Sequence, residues 1–121
     1  WIHVIDHCRG IRAAMERGAK GEVYNFGGDA ERENLFVVKE ILRLCGKGDD
    51  LITYVKDRPG HDRRYAMDSS KARATLGWTP GYTFEESLEQ TVTWYMENRH
   101  WWERVRSGEY QAYYEKQYGK A

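Results

Sequence analysis

Apolar side chains dominate the first five positions, Trp1, Ile2, Val4 and Ile5 around a single His3, and a run so rich in aromatic and β-branched residues predicts a strand. The period then changes. Cys8, Ile11 and Met15 recur every three or four residues, which predicts a helix capped by Asp6, continuing through Arg17 and stopped by Gly18. Glu22, Val23, Tyr24, Asn25 and Phe26 predict a second strand, and Gly27 with Gly28 allows a sharp turn after it. Leu35, Val38, Ile41, Leu42 and Cys45 then mark the best amphipathic helix in the chain, capped by Asn34 and stopped by Gly46.

Residues 51–55 (Leu, Ile, Thr, Tyr, Val) are β-rich and lead into a turn around Pro59 and Gly60. A short extended piece is expected at Arg64, Tyr65 and Ala66. A short helix should run from Asp68 as its cap to Leu76 and be closed by Gly77. Thr83 with Glu86 three residues later has the signature of a capping box. The last helix begins there, with Phe84, Leu88, Val92 and Tyr95 on one stripe, and continues through Trp101 and Trp102 to about Arg106. Gly108 separates it from a Tyr-rich tail.

Alternation of short strands with helices, without a repeat or long linker, predicts one small mixed α/β unit over residues 1–121. Three or four short strands make a modest sheet, better suited to docking on a larger body than to standing alone. The opening also lacks a Met and a polar lead-in, so further chain is expected before Trp1.

Composition narrows the function classes. Nineteen basic residues balance nineteen acidic ones, which removes the excess charge that drives sequence-independent binding to nucleic acid or anionic lipid. No apolar run approaches the ~20 residues of a membrane span, and no segment reads as a secretion leader. A soluble, cytoplasmic protein is expected. Cys8 and Cys45 sit among apolar helix positions, where a thiol serves as a small hydrophobe. Trp94, Tyr95, Trp101 and Trp102 are expected to be core rings rather than stacking platforms. His3 and His7 are four apart, but the break at Asp6 argues against a shared metal-binding face. His61 beside Asp62 lacks a nucleophile to complete a catalytic arrangement.

The densest polar chemistry is Asp57, Arg58, Pro59, Gly60, His61, Asp62, Arg63 and Arg64. Three guanidinium groups and an imidazole on a bent loop suit the forked recognition of diphosphate oxygens. The same residues also suit a solvated turn whose charges pair with Asp57 and Asp62. Asn25 is open to two readings as well, an amide offered to a ligand or simple turn chemistry before Gly27. Two absences are sharper. The chain has no glycine-rich dinucleotide fingerprint, and no Tyr is followed by a Lys four residues on.

Taken together, residues 1–9 (WIHVIDHCR), 21–28 (GEVYNFGG), 57–65 (DRPGHDRRY), 68–71 (DSSK) and 76–78 (LGW) resemble the dTDP-glucose 4,6-dehydratase family in order and spacing. The resemblance covers essentially the whole chain and about the last third of a family member. It implies an extended short-chain dehydrogenase/reductase, in which an N-terminal Rossmann domain holds NAD and a catalytic Tyr-x-x-x-Lys, and a smaller C-terminal domain closes over a nucleotide sugar. This chain looks like that smaller domain, so no catalytic residue and no cofactor site is expected within it. By resemblance Asn25, Arg58 and His61, with Pro59 and Gly60 of the same block, fall where the family contacts the nucleoside diphosphate, and Tyr118 matches a tail tyrosine that reaches the substrate. The implied partner is a dTDP-sugar, and the implied parent is a homodimer. Its reaction oxidises C4 of the glucose unit, eliminates water across C5 and C6 and returns hydride to C6. Another nucleotide-sugar dehydratase or epimerase, or a non-catalytic interaction module, remains open.

Overall fold

The computed structural model describes residues 1–57 and 59–106. Five α-helices appear among them: α1 (Val4–Arg17), α2 (Asn34–Leu44), α3 (Ser70–Leu76), α4 (Phe84–Glu97) and α5 (Arg99–Arg106). A single 3-10 turn, Asp49–Leu51, lies between α2 and α3. The chain divides into two compact units, the second beginning at Gln90.

Where a helix end depends on neighbouring residues, the expected signals hold to within a residue or two. Gly77 closes α3 in the left-handed conformation at φ 60°, which only glycine adopts without cost. Gly46 does the same after α2 at φ 64°, and Lys47 N–H reaches back to the Leu42 carbonyl at 2.8 Å. The cap of α3 moves one residue on to Ser69, with Asp68 accepting from Ser70 N–H at 2.8 Å. That of α2 moves one back to Glu33. The expected last helix breaks at Asn98, whose side-chain amide donates to the Trp94 carbonyl at 2.8 Å while Trp101 N–H turns back to the Asn98 carbonyl.

The start of α1 corrects the sequence reading. The helix begins at Val4 with His3 as its cap, so residues 1–5 form no strand. Asp6 sits inside the first turn and is fully buried. Its carboxylate accepts from Gly81 N–H at 2.9 Å, Tyr82 N–H at 3.1 Å and the Arg9 guanidinium at 3.0 Å. A carboxylate near a helix N-terminus is also favoured by the helix dipole.

Around α1 and α3 the first unit builds its core from Ala13, Ala72, Leu76 and Trp78, with Ile2, Tyr24 and Phe26 packed against it. Phe26 meets Trp78 edge-on at 5.0 Å, and Trp78 Nε1–H donates to the Asp6 carbonyl at 3.0 Å. Gly10 makes the approach possible, because a Cβ there would lie 2.6 Å from the Phe26 ring.

No strand is present among the described residues. Residues 22–26 nevertheless keep the alternation of one: Tyr24 and Phe26 turn to the core while Val23 and Asn25 are exposed. A strand needs a neighbour for its N–H and C=O groups, and no backbone ladder joins residues 22–26 to another described segment. Residues 51–55 and 64–66 are likewise unpaired. The second unit departs from expectation in its rings: Trp94, Tyr95 and Trp101 are about half exposed. They meet one another edge-on instead, Trp94 contacting Tyr95 at 5.2 Å and Trp101 at 5.3 Å.

Candidate functional site

Pro59 and Gly60 form the turn foreseen in the polar loop, Gly60 taking φ 70°. The bend brings His61 back onto Asp57, Nδ1 to Oδ1 at 2.7 Å. A carboxylate only accepts, so Nδ1 carries the proton and Nε2 is left as the ring's remaining hydrogen-bonding atom. Among the described residues Asp62 pairs with no arginine. It accepts from the Tyr65 hydroxyl at 2.5 Å, which raises the Tyr65 pKa, because a phenol that donates to a carboxylate resists losing its proton. Arg63 has no ion-pair partner among the described residues. Arg58 and Tyr118 lie outside the described residues.

Four links tie residues 22–31 to residues 64–73. Glu22 pairs with Lys71 at 2.6 Å, Gly27 N–H donates to Ser69 Oγ at 2.7 Å, Asp29 pairs with Arg73, and Glu31 pairs with Arg64. Lys71 also lies over the Tyr24 ring at 5.0 Å, and the hydrogen bond it donates, then its charge, hold the Glu22 carboxyl below its usual pKa. Exposed pairs of this kind each contribute only about 0–1 kcal/mol; their use here is to fix one segment against the other. Asn25 therefore sits on the segment held beside the polar loop, with its side chain exposed. Among the described residues no hydrogen bond joins Asn25 to His61. The sequence reading missed Tyr65, Glu31 and Ser69 as organisers of this region. Only Tyr65 had a local signal, its spacing of three from Asp62.

A concavity lies elsewhere. A cleft of about 250 Å³ lies between α2 and the start of α4, lined by Phe36, Leu44, Phe84, Leu88, Glu40 and Arg43 among others. It holds none of the residues expected to bind a ligand.

Residues 1–91 match the sequence profile of the family described as GDP-mannose 4,6 dehydratase. The chain belongs to that family. Its relatives there include the dTDP-glucose 4,6-dehydratase of Streptomyces niveus, 48% identical over 107 residues, covering 88% of this chain and 32% of the relative. An Escherichia coli dTDP-glucose 4,6-dehydratase is 44% identical over 121 residues, covering 91% of this chain and 33% of its own length. This family member thus spans about a third of the curated relatives it matches, in keeping with the C-terminal portion that its motifs resemble. Among solved structures, the Bacillus anthracis dTDP-glucose 4,6-dehydratase in complex with NAD superposes with a TM-score of 0.80 at 47% identity, over 87% of this chain and 33% of that one. The Streptomyces venezuelae enzyme, also solved with NAD bound, gives 0.82 at 41% identity over the same shares. The fold is accordingly that of the extended short-chain dehydrogenase/reductases, even though its extended segments carry no ladder here.

Among the described residues, the adjacent glycines Gly27 and Gly28 do not form a dinucleotide cradle. A dinucleotide cradle needs glycines that leave room for a pyrophosphate. At Gly28 a Cβ would lie 2.1 Å from the Trp1 carbonyl oxygen, so the chain's own backbone fills the space. The Trp1 amino group and indole donate to the Ala30 and Arg32 carbonyls, which holds that backbone in place.

Proposed function

We propose that this chain is the substrate-binding portion of an NAD-dependent dTDP-glucose 4,6-dehydratase, the enzyme class that converts dTDP-glucose to dTDP-4-keto-6-deoxyglucose and water. The observation that carries the reading is the bent loop at residues 57–65, in which Asp57 orients His61 beside the Pro59–Gly60 turn, within a chain 44–48% identical to dTDP-glucose 4,6-dehydratases. Arg58 supplies a forked cation to the diphosphate, and His61 Nε2 a second polar contact. Asn25 offers its amide to the nucleoside from the neighbouring segment, and Tyr118 reaches the substrate from the tail. The chain contributes grip and orientation. Oxidation, elimination and hydride return belong to residues it does not contain, so it is inactive alone.

Calorimetry with dTDP tests this. A charge-assisted hydrogen bond contributes about 1.5–3 kcal/mol, so Arg58→Ala is expected to weaken binding by about tenfold to a hundredfold. Equal affinity in the two proteins removes the proposed grip. A parallel titration with UDP and GDP is expected to show weaker binding than dTDP; the reverse order would reassign the chain to another nucleotide-sugar dehydratase or epimerase.

A further inference from the structure

The polar loop folds back a second time after its Pro59–Gly60 turn. The chain bends at Arg63, and the Tyr65 hydroxyl closes that bend on Asp62 at 2.5 Å. A separation this short belongs to a hydroxyl donating to a carboxylate. Arg64, the next side chain of the bend, is committed to Glu31. Within residues 62–65, Arg63 is therefore the side chain left with no partner among the described residues. Sequence position alone would have given it one. Neighbouring residues do pair in this protein, Arg17 with Glu16 at 3.3 Å, and Asp62 is the carboxylate beside Arg63. An acid paired with a guanidinium cancels much of its attraction for a third ion. Tyr65 takes that acid without bringing a charge of its own, so the positive charge of Arg63 stays uncancelled.

The chemistry of the ligand asks for such a cation. A diphosphate that links a nucleoside to a sugar carries a negative charge on each phosphate, whereas Arg58 brings a single positive charge. Ions withdrawn from water bind well only where each charge is met, and a guanidinium meets phosphate oxygens in forked geometry. Arg63 lies on the same loop, just beyond His61. Lys56 also lacks a partner among the described residues, but it stands before the Pro59–Gly60 turn and outside the bend that Tyr65 closes. We infer that Tyr65 is a positioning residue: by holding Asp62 it leaves Arg63 as a second guanidinium for the diphosphate of the ligand. The inference rests on the proposed function in taking this loop as the diphosphate grip.

Calorimetry on the 121-residue chain, with dTDP and inorganic pyrophosphate as separate probes, tests the inference. Tyr65→Phe releases Asp62 to the neighbouring Arg63 and is expected to weaken binding of both probes by about two- to fivefold, the range of an exposed ion pair. Arg63→Gln is expected to weaken them by about tenfold. Adding Asp62→Asn to Tyr65→Phe should restore the native affinity, because the released group then has no charge with which to cancel Arg63. Tyr65→Phe made on Arg63→Gln should change nothing further. A merely structural role for Tyr65 would give neither the rescue nor the dependence on Arg63. Native affinity in Tyr65→Phe, a loss that Asp62→Asn does not rescue, or a loss that persists without Arg63 overturns the inference. If Arg58→Ala still weakens dTDP binding in that case, the proposed function stands. Pyrophosphate binding that follows the Tyr65, Asp62 and Arg63 dependence, with dTDP bound no more tightly than pyrophosphate, removes the nucleotide reading and leaves the inference standing. A chain that binds neither probe overturns both.

Discussion

A carboxylate with no exposed surface is stable only where donors replace the water it has lost. Asp6 has two backbone N–H groups and a guanidinium, and through them α1 is fastened to the turn before α4. Truncating it leaves the Gly81 and Tyr82 N–H groups without their acceptor. Asp6→Ala is therefore expected to cost about 1–3 kcal/mol, read as a lower urea midpoint, with Asp6→Asn retaining part of the loss because one amide oxygen still accepts. His3 presents the converse case. Its Nδ1 is buried without a hydrogen-bond partner among the described residues, and its ring lies 4.4 Å from that of Tyr82. Its place here is as the cap of α1 and a packing ring, and no metal-binding group of three or more His, Cys, Asp or Glu forms among the described residues.

At the scale of one element, the capping box of α4 has every bond the motif promises. Glu86 accepts from Thr83 N–H at 2.9 Å and from the Thr83 hydroxyl at 2.8 Å, while Thr83 Oγ1 accepts from Glu86 N–H at 3.2 Å. Donation from the Thr83 backbone, then from its hydroxyl, holds the Glu86 carboxyl below its usual pKa. The folded state thus binds the proton less readily than the unfolded one. Its stabilising effect is complete above the unfolded value of about 4.3, and is lost as pH falls through the lower folded value. Urea unfolding at pH 7 and pH 3 should show a smaller acid destabilisation in Glu86→Gln than in the native chain. Asp68, lowered mainly by the Ser70 backbone N–H, also loses its contribution on acidification and keeps the variant from being fully insensitive. Thr83→Ala should cost about 1 kcal/mol at neutral pH. The same locality explains why caps and stops were readable in advance: a capping box, a left-handed Gly77 and an Asp68 beside Ser70 depend on residues within a few positions of one another.

Across the first unit, the deciding contact is the approach of α1 to Phe26 over Gly10. Alanine is the better helix former by about 0.8–1 kcal/mol, but its Cβ would lie 2.6 Å from Cδ1 and 2.7 Å from Cγ of the ring, and overpacking costs about 1–3 kcal/mol. The clash outweighs the propensity, so Gly10→Ala is expected to lower stability by about 1 kcal/mol, measured by thermal unfolding; a gain would show that Phe26 moves aside freely. By itself the sequence determined the turns, the glycine stops of the first three α-helices, the family and the residue types of the polar loop, because those depend on local backbone chemistry and on a motif order carried in the chain. Only the tertiary structure decided which side of α1 is buried, that Asp6 is an internal anchor rather than a cap, that Tyr65 rather than an arginine takes Asp62, and that the strand-like segments go unpaired. Each of these turns on what a residue meets dozens of positions away or across a sharp bend, and periodicity reports that a face is apolar without saying what lies against it.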